Sequence, residues 1–139
     1  MTVLFDTNVY ISFIRDFSHS AELLRRGTRK YLSAVVLMEL WAGAKTRRAE
    51  RLLEGLQRPY VAANRIITLR PSQYISVGQF FSALPRRDNE LRKKAGFLND
   101  VQIAFTALHL GAVLLTEDEQ HFGMIHEQLP ALRVRYLAA

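Results

Sequence analysis

Four carboxylates in this chain occupy places where a carboxylate needs a reason. Asp6 closes the first apolar segment, VLF, and is followed by Thr7 and Asn8. Asp118 lies just beyond another apolar segment, VLLT, at the end of the short run Thr116-Glu117-Asp118. Glu39 sits inside AVVLMELWAGA, between Met38 and Leu40, and shares a helical face with Val36 and Gly43. Asp100 opens the stripe Asp100, Ile103, Ala104, Ala107, Leu108 and Gly111, which would face inward on a helix beginning near Asn99. An ionised carboxylate buried alone is very costly, so each must pair, protonate or hold a cation. Taken singly, each has an ordinary explanation: a helix cap for Asp100, a salt bridge to an arginine for Glu39. Gathered in one pocket, two such charges about 4 Å apart repel by roughly 4 kcal/mol at an effective dielectric near 20. Such a set persists with a compensating cation or with raised carboxyl pKa values.

The chemistry follows from the donor set. All-oxygen ligation without Cys selects a hard ion, Mg²⁺ or Mn²⁺. His121 and His126 are five apart and do not align as a ligand pair on one helix, so they read as surface or partly buried residues. Carboxylate-held divalent ions activate water and neutralise charge developing on phosphorus, which makes phosphodiester hydrolysis the leading reaction.

The surrounding elements must deliver these acids to one place. VLF, KYLS, IITL, VLLT and LRVRYL read as strands. VYISFIRDF, SHSAELLRRG, AVVLMELWAGA, TRRAERLLEGL, SQYISVGQFFSAL, LNDVQIAFTALHLGA and EDEQHFGMIHEQL read as helices, with Pro59 and Pro71 breaking the pattern around IITL. PRRDNELRKKAG reads as a solvated helix or helix-loop segment. Strands alternating with helices predict an α/β fold, a mostly parallel sheet of four to five strands covered on both faces. In such sheets ligands bind beyond the carboxyl ends of the strands, where Asp6 and Asp118 fall.

The 139 residues suit one domain, 1–139, large enough to bury a core without disulfides, and there is no Cys. No apolar run approaches a membrane span and the N-terminus lacks a signal-peptide pattern, so a soluble, cytoplasmic protein is expected. A net charge of +6 favours polyanionic partners.

The ordered blocks Asp6-Thr7-Asn8, Ser33…Glu39, Asn99-Asp100-x-x-Ile103-Ala104 and Thr116-x-Asp118…Phe122 resemble those of PIN-domain nucleases. The length and spacing resemble the VapC toxins of toxin–antitoxin pairs, over nearly the whole chain. The resemblance implies an α/β/α sandwich and a Mg²⁺- or Mn²⁺-dependent endoribonuclease. It implies Asp6, Glu39, Asp100 and Asp118 as the acidic cluster, with Asp6, Asp100 and Asp118 as metal ligands. It also implies Thr116 as a hydroxyl near the site, Asn8 as an orienting residue, a homodimer, and a cognate antitoxin that occupies the cleft. Glu117 departs from the pattern, leaving open whether it or Glu119 assists Asp118.

Basic residues cluster at Arg25, Arg26, Arg29 and Lys30; at Lys45, Arg47, Arg48 and Arg51; and at Arg86, Arg87, Arg92, Lys93 and Lys94. The last group precedes Asp100 and is expected to hold RNA phosphates. The rival class is a catalytically inactive RNA- or antitoxin-binding module, which would gain nothing from clustered negative charge.

Overall fold

The computed structural model describes residues Met1–Ala139. Five parallel strands form the sheet: β1 (Thr2–Phe5), β2 (Arg29–Ser33), β3 (Ile66–Ile67), β4 (Val113–Thr116) and β5 (Arg133–Tyr136), in the order β3-β2-β1-β4-β5. The expected α/β architecture is therefore present, and the sheet is wholly parallel. Seven α-helices flank it: α1 (Thr7–Asp16), α2 (Ser20–Leu23), α3 (Ala34–Gly43), α4 (Arg47–Ala62), α5 (Pro71–Ser82), α6 (Ala95–Leu110) and α7 (Glu119–Gln128). Right-handed crossovers place α1–α4 on one face of the sheet and α5–α7 on the other.

The two central strands, β1 and β4, are buried on both faces, whereas the edge strand β5 keeps Arg133, Arg135 and Tyr136 exposed. Leu4, Phe5, Leu114 and Leu115 are all buried. Phe5 pairs with Leu115, so the chain leaves β1 at Asp6 directly beside Thr116, the last residue of β4. From β1 the strand order runs outward in one direction to β3 and in the other through β4 to β5. The carboxyl ends of β1 and β4 thus flank the reversal in strand order, where a parallel sheet leaves a crevice.

Helix α6 carries Val101, Ile103, Ala104 and Ala107 into the core against β1 and β4. It ends where Gly111 takes a left-handed conformation, φ +64°, which glycine adopts without steric penalty.

Three expectations are corrected. Pro59 does not break a helix: α4 continues through it to Ala62. The proline removes one backbone bond in the last turn, and Tyr60 holds that turn in place by burying its ring and bonding Tyr10 through its hydroxyl at 2.9 Å. The segment SHSAELLRRG forms only the four-residue α2; His19 precedes it in left-handed conformation, and the arginines lie beyond its end. Helix α6 begins at Ala95 rather than near Asn99, so Asp100 lies in its second turn and caps nothing. The charged segment Arg86–Lys93 forms a 3₁₀ helix with no buried residue, in keeping with a solvated face.

Candidate active site

Asp6 is the N-cap of α1 and only 3% exposed. Its Oδ1 accepts a hydrogen bond from Thr7 N–H at 2.7 Å, and its Oδ2 accepts one from the Thr116 hydroxyl at 2.7 Å. Burial raises its pKa to about 6, reinforced by the charges of Glu39 and Asp118 and opposed by those two hydrogen bonds. Asn8 fastens the neighbouring strand end: its Nδ2 donates to Thr116 Oγ1 at 3.3 Å, and its Oδ1 accepts from Glu117 N–H at 3.2 Å. Asn8 and Thr116 therefore lie where an orienting pair would lie, beside Asp6.

Asp118 is the N-cap of α7. Its Oδ1 accepts from His121 N–H at 3.0 Å, and its own N–H donates to Thr116 Oγ1 at 3.0 Å. From across the crevice, α6 presents Asp100. His121 Nδ1 lies 2.9 Å from Asp100 Oδ2 and 3.3 Å from Asp118 Oδ2, so one imidazole bridges the two carboxylates. The ring is braced edge-on against Phe97, 5.4 Å between centroids. Burial first, then the charge of Asp6, raises the Asp100 pKa to about 7; the bond to His121 opposes the shift.

Asp100, Asp118 and His121 place one ligand atom each within 4.8 Å of one another. This donor set suits a divalent cation. Asp6 stands beside the trio, close enough for its charge to raise the Asp100 pKa.

Glu39 belongs to the same frame at one remove. Its Oε1 accepts from the Thr7 hydroxyl at 2.6 Å and its Oε2 from Asn99 Nδ2 at 3.2 Å. No cation pairs with it, so the salt-bridge explanation does not apply, and Asn99 serves Glu39 rather than capping a helix. Glu117 points away: its Oε2 accepts from Ser12 Oγ at 2.7 Å and lies 2.5 Å from His19 Nε2. Asp118, not Glu117, therefore faces Asp100.

His121 corrects the sequence reading, which treats it as an ordinary partly buried residue. The signal lay in its spacing from Asp118: an N-cap aspartate and the residue three positions on share the first turn. Comparing His121 only with His126 hides that relation.

The proposed RNA contacts behave unevenly. Arg87 pairs with Asp88 at 3.9 Å and Glu127 at 3.6 Å, and Lys93 with Glu90 at 3.9 Å. Arg92 donates to the Leu84 carbonyl at 3.3 Å. Arg86 and Lys94 are exposed and make no ion pair.

Comparison with known proteins follows the same lines. The PIN domain family profile matches residues 3–124. Among solved structures the chain is similar to VapBC2 from Rickettsia felis bound to a DNA fragment from their promoter, at 23% identity and a TM-score of 0.66, with 99% of each chain covered. It is also similar to VapBC-1 from nontypeable Haemophilus influenzae, at 22% identity and a TM-score of 0.66 with 98% of each chain covered. DNA-bound VapBC from Salmonella typhimurium is similar at 22% identity and a TM-score of 0.65, again with 98% of each chain covered. At these identities the likeness is one of fold. Among curated proteins none matches.

Proposed function

The chain belongs to the PIN-domain family, and on that premise we propose that it is a divalent-metal-dependent endoribonuclease, the toxin of a toxin–antitoxin pair. One observation carries the reading. Asp6 and Asp100, with pKa values raised to about 6 and about 7, converge with Asp118 at the reversal in strand order, where no arginine or lysine neutralises them. A binding module has no use for such a concentration of acid facing a polyanion.

In this reading Asp6, Asp100 and Asp118 hold Mg²⁺ or Mn²⁺, with His121 placed to add a nitrogen donor. The bound ion would lower the pKa of a water and neutralise charge on the phosphoryl group. The chain's own residues do the positioning. Thr7 N–H and the Thr116 hydroxyl fix both oxygens of Asp6, leaving each a free lone pair. The Thr7 hydroxyl and Asn99 fix Glu39, whose remaining lone pairs can accept a proton from the attacking water. Arg86 and Lys94, free of ion pairs, are the first candidates of their cluster to hold phosphates; Arg87, Arg92 and Lys93 would exchange existing partners to do so.

The VapBC neighbours support a cognate antitoxin as partner; a homodimer in the cytoplasm belongs to the same proposal. The test is direct. Purified protein is incubated with structured RNA in Mg²⁺, in Mn²⁺ and in chelator, and compared with Asp6→Asn and Asp100→Asn. Ion-dependent cleavage lost in both variants supports the assignment, and cleavage retained in both sinks it. Growth arrest on expression, relieved by Asp100→Asn, tests the toxin role.

A further inference from the structure

Two cavities lie at the opposite end of the sheet from the acids, and they share Thr28 and Arg65. The first, about 410 Å³, is walled by Leu23 and Leu24 of the α2 segment, by Leu56 and Pro59 of α4, and by the phenols of Tyr10 and Tyr60. The second, about 390 Å³, is polar and lies at the amino ends of β1 and β2, where Thr2, Gly27 and Arg29 join the shared pair. Lys30 lines the first cavity. No carboxylate lines either one. Arg25, Arg26, Arg29, Lys30 and Arg65 make no ion pair.

The apolar cavity also contains a spare proton donor. The Tyr10 and Tyr60 hydroxyls are bonded only to each other, at 2.9 Å, and both residues are buried, Tyr10 almost completely. Burial holds both phenols above the ordinary range, so both keep their protons. Two hydroxyl hydrogens and one bond leave one hydrogen that can donate to a ligand in the cavity.

We propose that these adjoining cavities bind a phosphorylated nucleoside, the base in the apolar cavity with a carbonyl accepting from the tyrosine pair and the phosphate against Arg29 and Arg65. The volume is in the range of small-ligand pockets. Aromatic walls suit a planar ring, and a fatty anion would leave the tyrosine proton unused. Arginine forks match phosphate oxygens. The ligand is either a free mononucleotide or the phosphorylated end of an RNA. The site does not depend on the acidic cluster.

Calorimetric titration in chelator, which removes phosphate binding through divalent ions, tests this with uridine and guanosine 5′-monophosphates, uridine, inorganic phosphate and a 5′-phosphorylated tetranucleotide. Saturable binding of a monophosphate is expected, about tenfold or more tighter than that of uridine or phosphate alone. Tighter binding of the tetranucleotide assigns the site to RNA ends, and weaker binding assigns it to free nucleotides. The double variant Arg29→Gln/Arg65→Gln and the variant Leu24→Glu, which sets a carboxylate at the mouth from an exposed position, should each weaken binding about tenfold or more. Asp100→Asn should leave it unchanged. Absence of saturable binding by every phosphate compound, unchanged affinity in both variants, or loss in Asp100→Asn would each overturn the proposal.

Discussion

The two ends of the sheet handle charge in opposite ways. At the carboxyl end, acids converge on short, partly or fully buried side chains whose oxygens are held by Thr7, Thr116, Asn99 and His121. At the amino end, cations ride on long side chains, exposed or half-buried, that make no ion pair. The acidic end is thus pre-organised, and the cost of burying its charge, with mutual repulsion second, is borne by the folded state as raised carboxyl pKa values. At the basic end Arg65 lies over the Tyr31 ring and Lys30 donates to the Arg25 carbonyl, contacts that a ligand can replace without breaking an ion pair. Such a stored cost is expected where geometry must be exact before the ligand arrives, as it must for an ion and an attacking water.

The largest expected effect of breaking this contrast is on chemistry. Asp6→Asn or Asp100→Asn should lower ion-dependent RNA cleavage by at least about a hundredfold, beyond the usual effect of losing a residue that merely supports a metal ligand. The same substitutions should stabilise the ion-free protein near neutral pH, because they remove a charge that burial disfavours. Thermal melting in chelator reads this directly. A variant both inactive and less stable would point to a structural role for the acid instead.

Next in size is the pH dependence of stability. The folded pKa values of Asp6 and Asp100, about 6 and about 7, lie above the ordinary 3.8. Between pH 4 and 7 the folded state therefore binds protons that the unfolded chain has released, so this contribution to stability falls as pH rises through that window. For Asp6 the loss is on the order of 3 kcal/mol. Melting temperature in chelator should decline from pH 5 to pH 8, and saturating Mn²⁺ should flatten or reverse the slope by occupying the ionised site. A flat profile in chelator would mean that the acids are less buried than the structure shows.

Much of this end was legible in the sequence, for a physical reason. Polar residues ending a short apolar run mark the carboxyl end of a buried strand; that rule places Asp6 and the Glu117-Asp118 pair, and the family spacing to Thr116 and Phe122 selects Asp118. Asp100 and Glu39 are placed by helical periodicity, which does not depend on the exact start of the helix; the stripe from Asp100 to Ala107 faces inward although α6 begins at Ala95. What was not legible depends on contacts between residues distant in the chain. The Thr7 hydroxyl reaches Glu39 and Asn99 reaches the same carboxylate, both across gaps that no local pattern encodes. His121 joins Asp100 only because α7 packs along α6. Pro59 remains helical because Tyr60 is anchored to Tyr10, fifty residues away. The basic end was legible only as a run of charge, since the cavities beside it arise from tertiary packing of α2, α4 and β2.

A sharper probe of pre-organisation is the Thr7–Glu39 bond, because Thr7 touches neither substrate nor ion in the proposed arrangement. Thr7→Val keeps the shape of the side chain and the N–H that serves Asp6, while removing the donor to Glu39 Oε1. Loss of a bond to a charged group predicts about 1.5–3 kcal/mol of destabilisation, less where water reaches the carboxylate. Cleavage should fall by up to about a hundredfold, the low end of what a positioned proton acceptor contributes. Thr7→Ser should restore both. Unchanged cleavage in Thr7→Val would remove Glu39 from the site.

The smallest expected effect lies at the basic end and tests the other half of the contrast. Arg26 is exposed and makes no ion pair. Arg26→Gln should therefore change stability by no more than about 0.5 kcal/mol, the range of ordinary surface substitutions. If RNA also runs over this end, the slope of log affinity against log salt should lose at most about 0.7–0.9, the contribution of one phosphate contact. Melting and a salt series of RNA binding, using Asp100→Asn to prevent cleavage, give both numbers from one variant. A fall of several degrees in melting temperature would show that these cations brace the fold, and the division between a rigid acidic end and an adaptable basic end would not hold.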